Sequence, residues 1–454
     1  MRHLIAILTL GLATLAGAAR AAPPIAFVHV NVVPLATEGV LPDQTVVVAE
    51  GRIQAVGKDV AIPAGATVID GHGKAWLSPG LADMHVHSDT RTDMSVYLAH
   101  GVTSVLNMGE ASNSFVGRTK VKANRAEIPS PHVYTALRID GSPRYGGLVV
   151  TTPDEVRSAV RLAKANGHDF IKVYNDLAPA VFDALVDETR LQNLPIVGHG
   201  VTSVGLRKQL AAGQLMVAHA EEFLYTVFDI DTAKDENAAP DDAQIPAVVD
   251  LVKRSGAFVT ADLATYAAIA RQWGQPAVVQ AYLRAPESRY VSPQDRIGWK
   301  LAGYDGRSGS LDKRLAFLGR FVKALSDAGV PLITGTDAPA IPGMAPGFSL
   351  HDDMERLVAA GLSRQQVLAA ASRAPGEMVA RAFRGQTPFG TVAPGSRADL
   401  VLSAANPLDG LATLRQPLGV MAGGRWYGRE ELQPLLEGVV RRYKEAGFPG
   451  EARP

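Results

Sequence analysis

The apolar positions of residues 25–69 fall in short runs broken by turns: Ala26-Phe27-Val28, then 44–49, 52–57 and 67–70. The same texture returns near the other end, at 390–395, 398–402 and 419–427. Short alternating strands with Gly and Pro between them predict a small β-sandwich. Both chain ends are expected to build it, from 22–78 and 389–430. The middle of the chain has a different pattern. Eight apolar runs of the kind buried on both faces occur at 81–87, 102–108, 133–139, 170–174, 196–199, 216–219, 258–262 and 332–337. Amphipathic stretches such as 153–166 and 178–192 separate them and read as helices. Eight strand–helix units in about 300 residues predict an α/β fold of the TIM (β/α)8 barrel type over 79–388. In such barrels the chemistry sits at the C-terminal ends of the strands. The connection between Asp262 and Leu332 is unusually long and carries Trp273, Tyr282, Arg284, Tyr290 and Trp299, which suggests a cover over the mouth. Residues 431–454 read as a C-terminal helix and tail.

Composition adds an address and several exclusions. Residues 1–21 read as a secretory signal peptide: Arg2-His3, an apolar run from Leu4 to Ala18, and Ala19-Arg20-Ala21 as the cleavage signal. Cleavage is expected before Ala22. The alternative, a membrane anchor, is disfavoured because the run is short. No later segment is apolar enough to span a bilayer, so no membrane association is expected after cleavage. Basic and acidic side chains both number 45, with no basic block. That argues against a nucleic-acid partner and for a small-molecule substrate; a homo-oligomer stays open. The chain has no cysteine, which rules out disulfides, thiolate ligands and a cysteine nucleophile. Any metal must be held by His, carboxylate or a modified Lys. An exported chain without cysteine is compatible with a bacterial periplasm.

Candidate chemistry begins at Ser78-Pro79-Gly80-Leu81-Ala82-Asp83-Met84-His85-Val86-His87. Residues i and i+2 of a strand share a face, so His85 and His87 can aim two imidazoles into one space. Alone, the pair is more often an ordinary pair of buried or surface histidines. Four further residues, however, lie in or at the ends of predicted strands: Lys172 in the fourth, His199 in the fifth, His219 in the sixth and Asp337 in the eighth. A lysine inside an apolar strand is costly unless paired or neutralised. Reaction with carbon dioxide would convert its amine to a carbamate.

These residues, with Pro79-Gly80-Leu81-Ala82-Asp83, Gly101-Val102-Thr103 and the closing Gly395-Ser396-Arg397-Ala398-Asp399-Leu400, resemble the amidohydrolase superfamily. The similarity is to its binuclear branch with a carboxylated lysine, in the group of Xaa-Pro dipeptidases and imidazolonepropionase-like hydrolases. The resemblance implies two divalent metal ions, zinc first, with manganese, cobalt or iron as alternatives. By that resemblance His85, His87 and Asp337 would hold the buried metal, and His199 and His219 the outer one. Lys172, as a carbamate, would bridge them together with a hydroxide. Asp337 would be the catalytic residue, taking the proton of the attacking water and passing it to the leaving amine. The competing reading pairs Lys172 with Asp337 in a single-metal enzyme.

Tyr174, Arg138 and Arg144 are candidates for substrate binding, the arginines through a bidentate grip on a carboxylate. Glu221 and Glu222 are either imidazole-orienting or solvated. His351 reads as stabilising a loop, and His29, His72, His100, His132 and His168 as structural or exposed. The implied activity is hydrolysis of an amide-type C–N bond in a dipeptide, N-acyl amino acid or cyclic amide. The alternatives are a single-metal deaminase or imidazolone-type hydrolase, and a non-catalytic periplasmic binding protein on the same fold.

Overall fold

Among the described residues, seventeen strands, numbered in chain order, divide between two sheets. The structure is a computed structural model that describes residues 23–445 except Glu110, Lys234 and Glu236. The expected signal peptide and the final residues, 446–454, lie outside the described residues. The first sheet takes β1 (Ile25–Val32), β2 (Leu41–Ala49), β3 (Arg52–Gly57), β4 (Thr67–Asp70) and β5 (Trp76–Pro79). The second holds β6 (Leu81–Val86), β7 (Val102–Asn107), β8 (His132–Asp140), β9 (Leu148–Val149), β10 (Phe170–Val173), β11 (Ile196–Gly198), β12 (Met216–Val217), β13 (Phe258–Thr260) and β14 (Leu332–Ile333). Then β15 (Leu400–Ser403), β16 (Gly419–Ala422) and β17 (Arg425–Gly428) return to the first.

The first sheet is mixed and runs β17-β16-β15-β5-β1-β2-β3, with β4 alongside β1. Both ends of the chain meet where β5 pairs antiparallel with β15, Leu77 opposite Leu402. In a flat sheet, β17 and β1 would lie roughly 19 Å apart, four ladder spacings. Yet the rings of Phe27 and Trp426 are 5.2 Å apart. The sheet therefore folds back on itself around Phe27, Val46, Leu77, Leu400 and Met421. The expected sandwich takes the form of one continuous, curled sheet.

The second sheet runs β14-β13-β12-β11-β10-β8-β7-β6, every neighbour parallel, with the two-residue β9 added beside β8. Past the ladder, β14 and β6 meet through Met84 N to Thr334 O (3.0 Å) and His87 N to Ala338 O (2.8 Å). The result is a nearly closed eight-stranded parallel barrel. All eight expected barrel strands are present. Gly80 is the hinge between sheets; a Cβ there would lie 2.1 Å from Thr103 Oγ1. The helix Pro153–Asn166 matches the expected bounds because its ends are chemically marked. Thr152 and Glu155 form a capping box, and Gly167 takes the left-handed C-cap.

Side-chain alternation sets the barrel interior. Tyr134, Phe170, Val197, Met216, Phe258 and Ile333 form an apolar floor. Ile171 and Val173 face outward to Val156, Val160, Val181 and Leu185 beneath the helices. One pleat above the floor, on the same faces, lie Ala136 then Arg138, Lys172, His199 and Thr260 then Asp262. The chemistry thus occupies the first inward positions above a sealed core.

The long connection after β13 contains the helices Leu263–Gln272, Pro276–Arg284, Pro293–Leu301 and Asp312–Asp327. Its aromatic residues are anchors. Trp299 Nε1 donates to Pro339 O (2.7 Å) and Trp273 Nε1 to Ser308 O (2.7 Å). Tyr290 stacks on Phe348, and Arg284 is exposed. This segment is therefore tied to the turn that follows β14. The helix Arg429–Glu445 packs on the helix Arg91–Ala99, with Tyr443 donating to Asp93 Oδ1 (3.2 Å). No helix among the described residues is long and apolar enough to cross a membrane.

Candidate metal centre

Two donor triads share one imidazole. His85, His199 and His219 form the first, and His85, His87 and Asp337 the second; the donor atoms of each lie within 4.8 Å of one another. Asp337 Oδ1 is 2.6 Å from His87 Nε2 and 3.1 Å from His85 Nε2. Lys172 Nζ is 3.3 Å from His85 Nε2 and is 1% exposed. The six expected residues are therefore brought to one place. His85 sits at the junction of the triads rather than within one alone.

Backbone geometry makes this convergence. His219, Asp262 and Asp337 all have positive φ, at 74°, 46° and 57°. Each follows a strand that stops early, and the left-handed turn redirects the side chain over the barrel axis. Lys172 needs room made for it on the next strand. At Gly198 (φ 124°), a Cβ would lie 2.4 Å from Val173 O and 3.0 Å from Lys172 Cγ.

The far nitrogens of two imidazoles face carboxylates. Glu222 Oε1 is 2.8 Å from His199 Nδ1, and Glu222 Oε2 accepts from Gly200 N (2.9 Å). Asp262 Oδ2 is 2.5 Å from His219 Nδ1 and 3.6 Å from His85 Nδ1. These Nδ1 atoms and both Asp262 oxygens are nonetheless buried without a hydrogen-bond partner, a carboxylate-beside-imidazole placement of the kind found around metal-binding histidines. This is the structural test of a metal at the site, and the donor set fits one: nitrogen and oxygen donors converge among buried polar atoms that lack hydrogen-bond partners. Asp262 closes the seventh predicted strand and was not singled out from the sequence. Its place at a barrel-strand end was the available signal.

Electrostatics fits the same use. Burial, with the charges of His219 and Lys172, holds His85 well below the usual histidine range. Burial and Lys172 do the same to His199. Neutral imidazole is the form that binds a metal. Burial pushes Asp337 up, but His87 and His85 together outweigh it and hold it well below the carboxylate range. Burial and Asp337 push Asp262 well up. Burial raises Glu222 to about 7, and burial with the nearby carboxylates raises Glu221 to about 8.

The other candidates surround the centre unevenly. The Tyr174 ring lies 4.1 Å from that of His199, and Arg138 Cζ is 5.4 Å above Tyr174. Arg138 is nearly buried, under the Gly146-Gly147 turn. Arg144 is exposed, its guanidinium over Tyr145, which in turn packs 5.3 Å from Tyr174. His351 is buried with Nε2 2.9 Å from His100 O, away from the donor triads. His29 and His72 flank Asp70 at the surface. His100 is buried with Nδ1 2.8 Å from Val96 O, and burial lowers the pKa of both His132 and His168.

The sequence pattern of the amidohydrolase family matches residues 76–427, from β5 through nearly all of β17. This chain belongs to that family. The amidohydrolase is a metal-dependent hydrolase, and its fold recurs in solved relatives. It is similar to a bottromycin amidohydrolase, 24% identical, covering 95% of this chain and 94% of that one with a TM-score of 0.69. It is similar to a molinate hydrolase, 19% identical over 96% and 99% of the two chains, TM-score 0.66. A Xaa-Pro dipeptidase with methionine in its active site is 17% identical over 89% and 100%, TM-score 0.65. At these identities the likeness is one of fold. A stretch of 71 residues is 38% identical to a deacetylase of Brucella anthropi, spanning 14% of this chain and 17% of that relative's length.

Proposed function

We propose that this amidohydrolase cleaves an amide-type C–N bond in a small substrate that carries a carboxylate, at a centre of two divalent metals. The observation that carries this is the pair of donor triads joined at His85 with Lys172 buried between them. His85, His87 and Asp337 would hold the inner ion, and His199 and His219 the outer, with Lys172 as a bridging carbamate. A buried cationic amine beside imidazoles is unfavourable; the carbamate replaces it with an anionic oxygen donor. Bound there, the ions would polarise the scissile carbonyl and acidify water.

The chain's own groups supply the remaining chemistry. Asp337, kept ionised by His87 and His85, accepts the proton of the attacking water and returns it to the leaving nitrogen. Arg138 offers a planar guanidinium to the substrate carboxylate, and Tyr174 stacks between it and His199. Glu222 and Asp262 hold His199 and His219 in their binding orientations. Glu222→Gln lowers zinc affinity by roughly 10–100-fold, measured by competition with a chromophoric chelator. Unchanged affinity in that variant would remove Glu222 from this role. The same proposal keeps the exported, periplasmic location expected from residues 1–21.

The test is a substrate panel on the zinc-loaded protein: dipeptides, N-acyl amino acids and cyclic amides, with lactones and phosphotriesters as controls. Amides bearing a free carboxylate are hydrolysed, and their methyl esters more slowly. Turnover confined to the lactones and phosphotriesters would overturn the proposal.

A further inference from the structure

The chain leaves β11 at the donor triads, and the strand ladder stops there. The last rungs between β11 and β12 pair Val197 with Met216 and Gly198 with Val217. Beyond them, side chains take over the backbone. Gln209 Nε2 donates to His199 O (2.9 Å), and Val201 N donates to Gln209 Oε1 (2.7 Å). One amide thus grips the turn on both sides of Gly200. The other N–H of Gln209 goes to Gln214 Oε1 (2.8 Å). Gln214 Nε2 donates in turn to Gly198 O (2.8 Å) on β11 and to Met216 O (3.2 Å) on β12. The two glutamines flank the end of the helix Leu206–Ala212, where Gln214 N donates to Gln209 O (3.1 Å).

Gln209 is 0% exposed and Gln214 3%. Every N–H of the two amides donates and each side-chain oxygen accepts, so the network admits one orientation of both amides. Apolar side chains of the same shape could fill this space without needing partners. What a satisfied buried network adds is rigidity and a single arrangement of the backbone it holds. That backbone carries two donors. His199 is held at its own carbonyl, and His219 follows Met216 by three residues. Their rings stand 5.0 Å apart at 84°. We infer that Gln209 and Gln214 are a positioning pair: by locking β11 to β12 just before the donors, they set the separation of His199 and His219 and so the affinity of the outer ion. Glu222 stands against the His199 ring; the amides act on the backbone from which both rings hang. His87 and Asp337 lie beyond β6 and β14, which the pair does not touch. This inference rests on the two-metal reading above and adds residues to it.

The experiment measures zinc stoichiometry and both dissociation constants, by competition with a chromophoric chelator, in the parent, Gln209→Met, Gln214→Met and the double variant. The ion lost in His199→Ala identifies the outer site. Each Met variant weakens the outer ion by roughly 10–100-fold, the range for residues that orient metal ligands, and leaves the inner constant unchanged. The double variant is no weaker than the more affected single one, because the amides act as one unit. Gln44→Met is the control for the loss of a buried glutamine. Gln44 lies on β2, bonded to Pro42 O and Asp43 O, and its replacement moves neither constant. Two ions in the parent with an outer constant unchanged in the Met variants overturns this inference and leaves the two-metal reading standing. So does an equal loss at both sites, or the same loss in Gln44→Met, since either marks a merely structural role. Each single variant decides the matter alone, so one that fails to fold does not remove the test. A parent that binds one ion overturns both.

Discussion

An Asp337→Asn chain with its metal restored turns over amide substrate roughly 10²–10⁴-fold more slowly than the parent, the usual contribution of a general acid–base group. The substitution keeps the shape of the side chain and removes its basicity. Asp337 Oδ1 lies between His87 Nε2 and His85 Nε2, so its carboxylate stands against the imidazole shared by both triads. The two imidazoles lower its pKa against the opposing effect of burial, so it is ionised and ready to accept a proton at neutral pH. The measurement is kcat at matched metal content. An Asn variant within about threefold of the parent, well short of the general-base range, would assign proton transfer elsewhere, and Asp262 would become the next candidate.

Chelation abolishes turnover, and two equivalents of zinc per chain restore it. The treatment also lowers thermal stability. A ligand present at a thousand times its Kd stabilises the folded state by about 4 kcal/mol, and removal takes that away. His85, Lys172, His199, His219 and Asp262 are buried together, and without an ion between them their dipoles and charges are poorly compensated. Lys172→Ala distinguishes one ion from two. In the binuclear centre this variant binds fewer than two equivalents and loses at least about a hundredfold in kcat, consistent with the loss of a metal-held charge. The parent treated with isotopically labelled bicarbonate shows a carbamate carbonyl signal. A parent that holds one tight ion, together with an indifferent Lys172→Ala, would establish a single-metal enzyme.

The curled outer sheet and the tied-down connection after β13 bear on both results. The sheet joins the barrel at Gly80, the connection is tied to Pro339 through Trp299, and the donor layer stands on a packed apolar floor. Preorganised donors of this kind are what metal-assisted hydrolysis requires.

Much of this was legible in the chain itself. Strand-like apolar runs report burial on both faces, and burial is a local property repeated at each strand. The eight barrel strands follow from it, as does the placement of Lys172, His199 and Asp337 near strand ends. The helix Pro153–Asn166 was equally readable, because Thr152, Glu155 and Gly167 satisfy its terminal backbone groups locally. The partners of the imidazoles were not. Glu221 and Glu222 are neighbours in sequence and differ only in which way one short helical turn points them. Asp262 looked like the last residue of a strand. Only a left-handed turn at that residue, with another at His219, brings Oδ2 to 2.5 Å from Nδ1. The meeting of Phe27 with Trp426 likewise depends on the curvature of a whole sheet. Periodicity fixes which face a residue occupies within its own element. The groups it meets across the barrel depend on where several strands stop and how each backbone turns there, and only the assembled structure decides that.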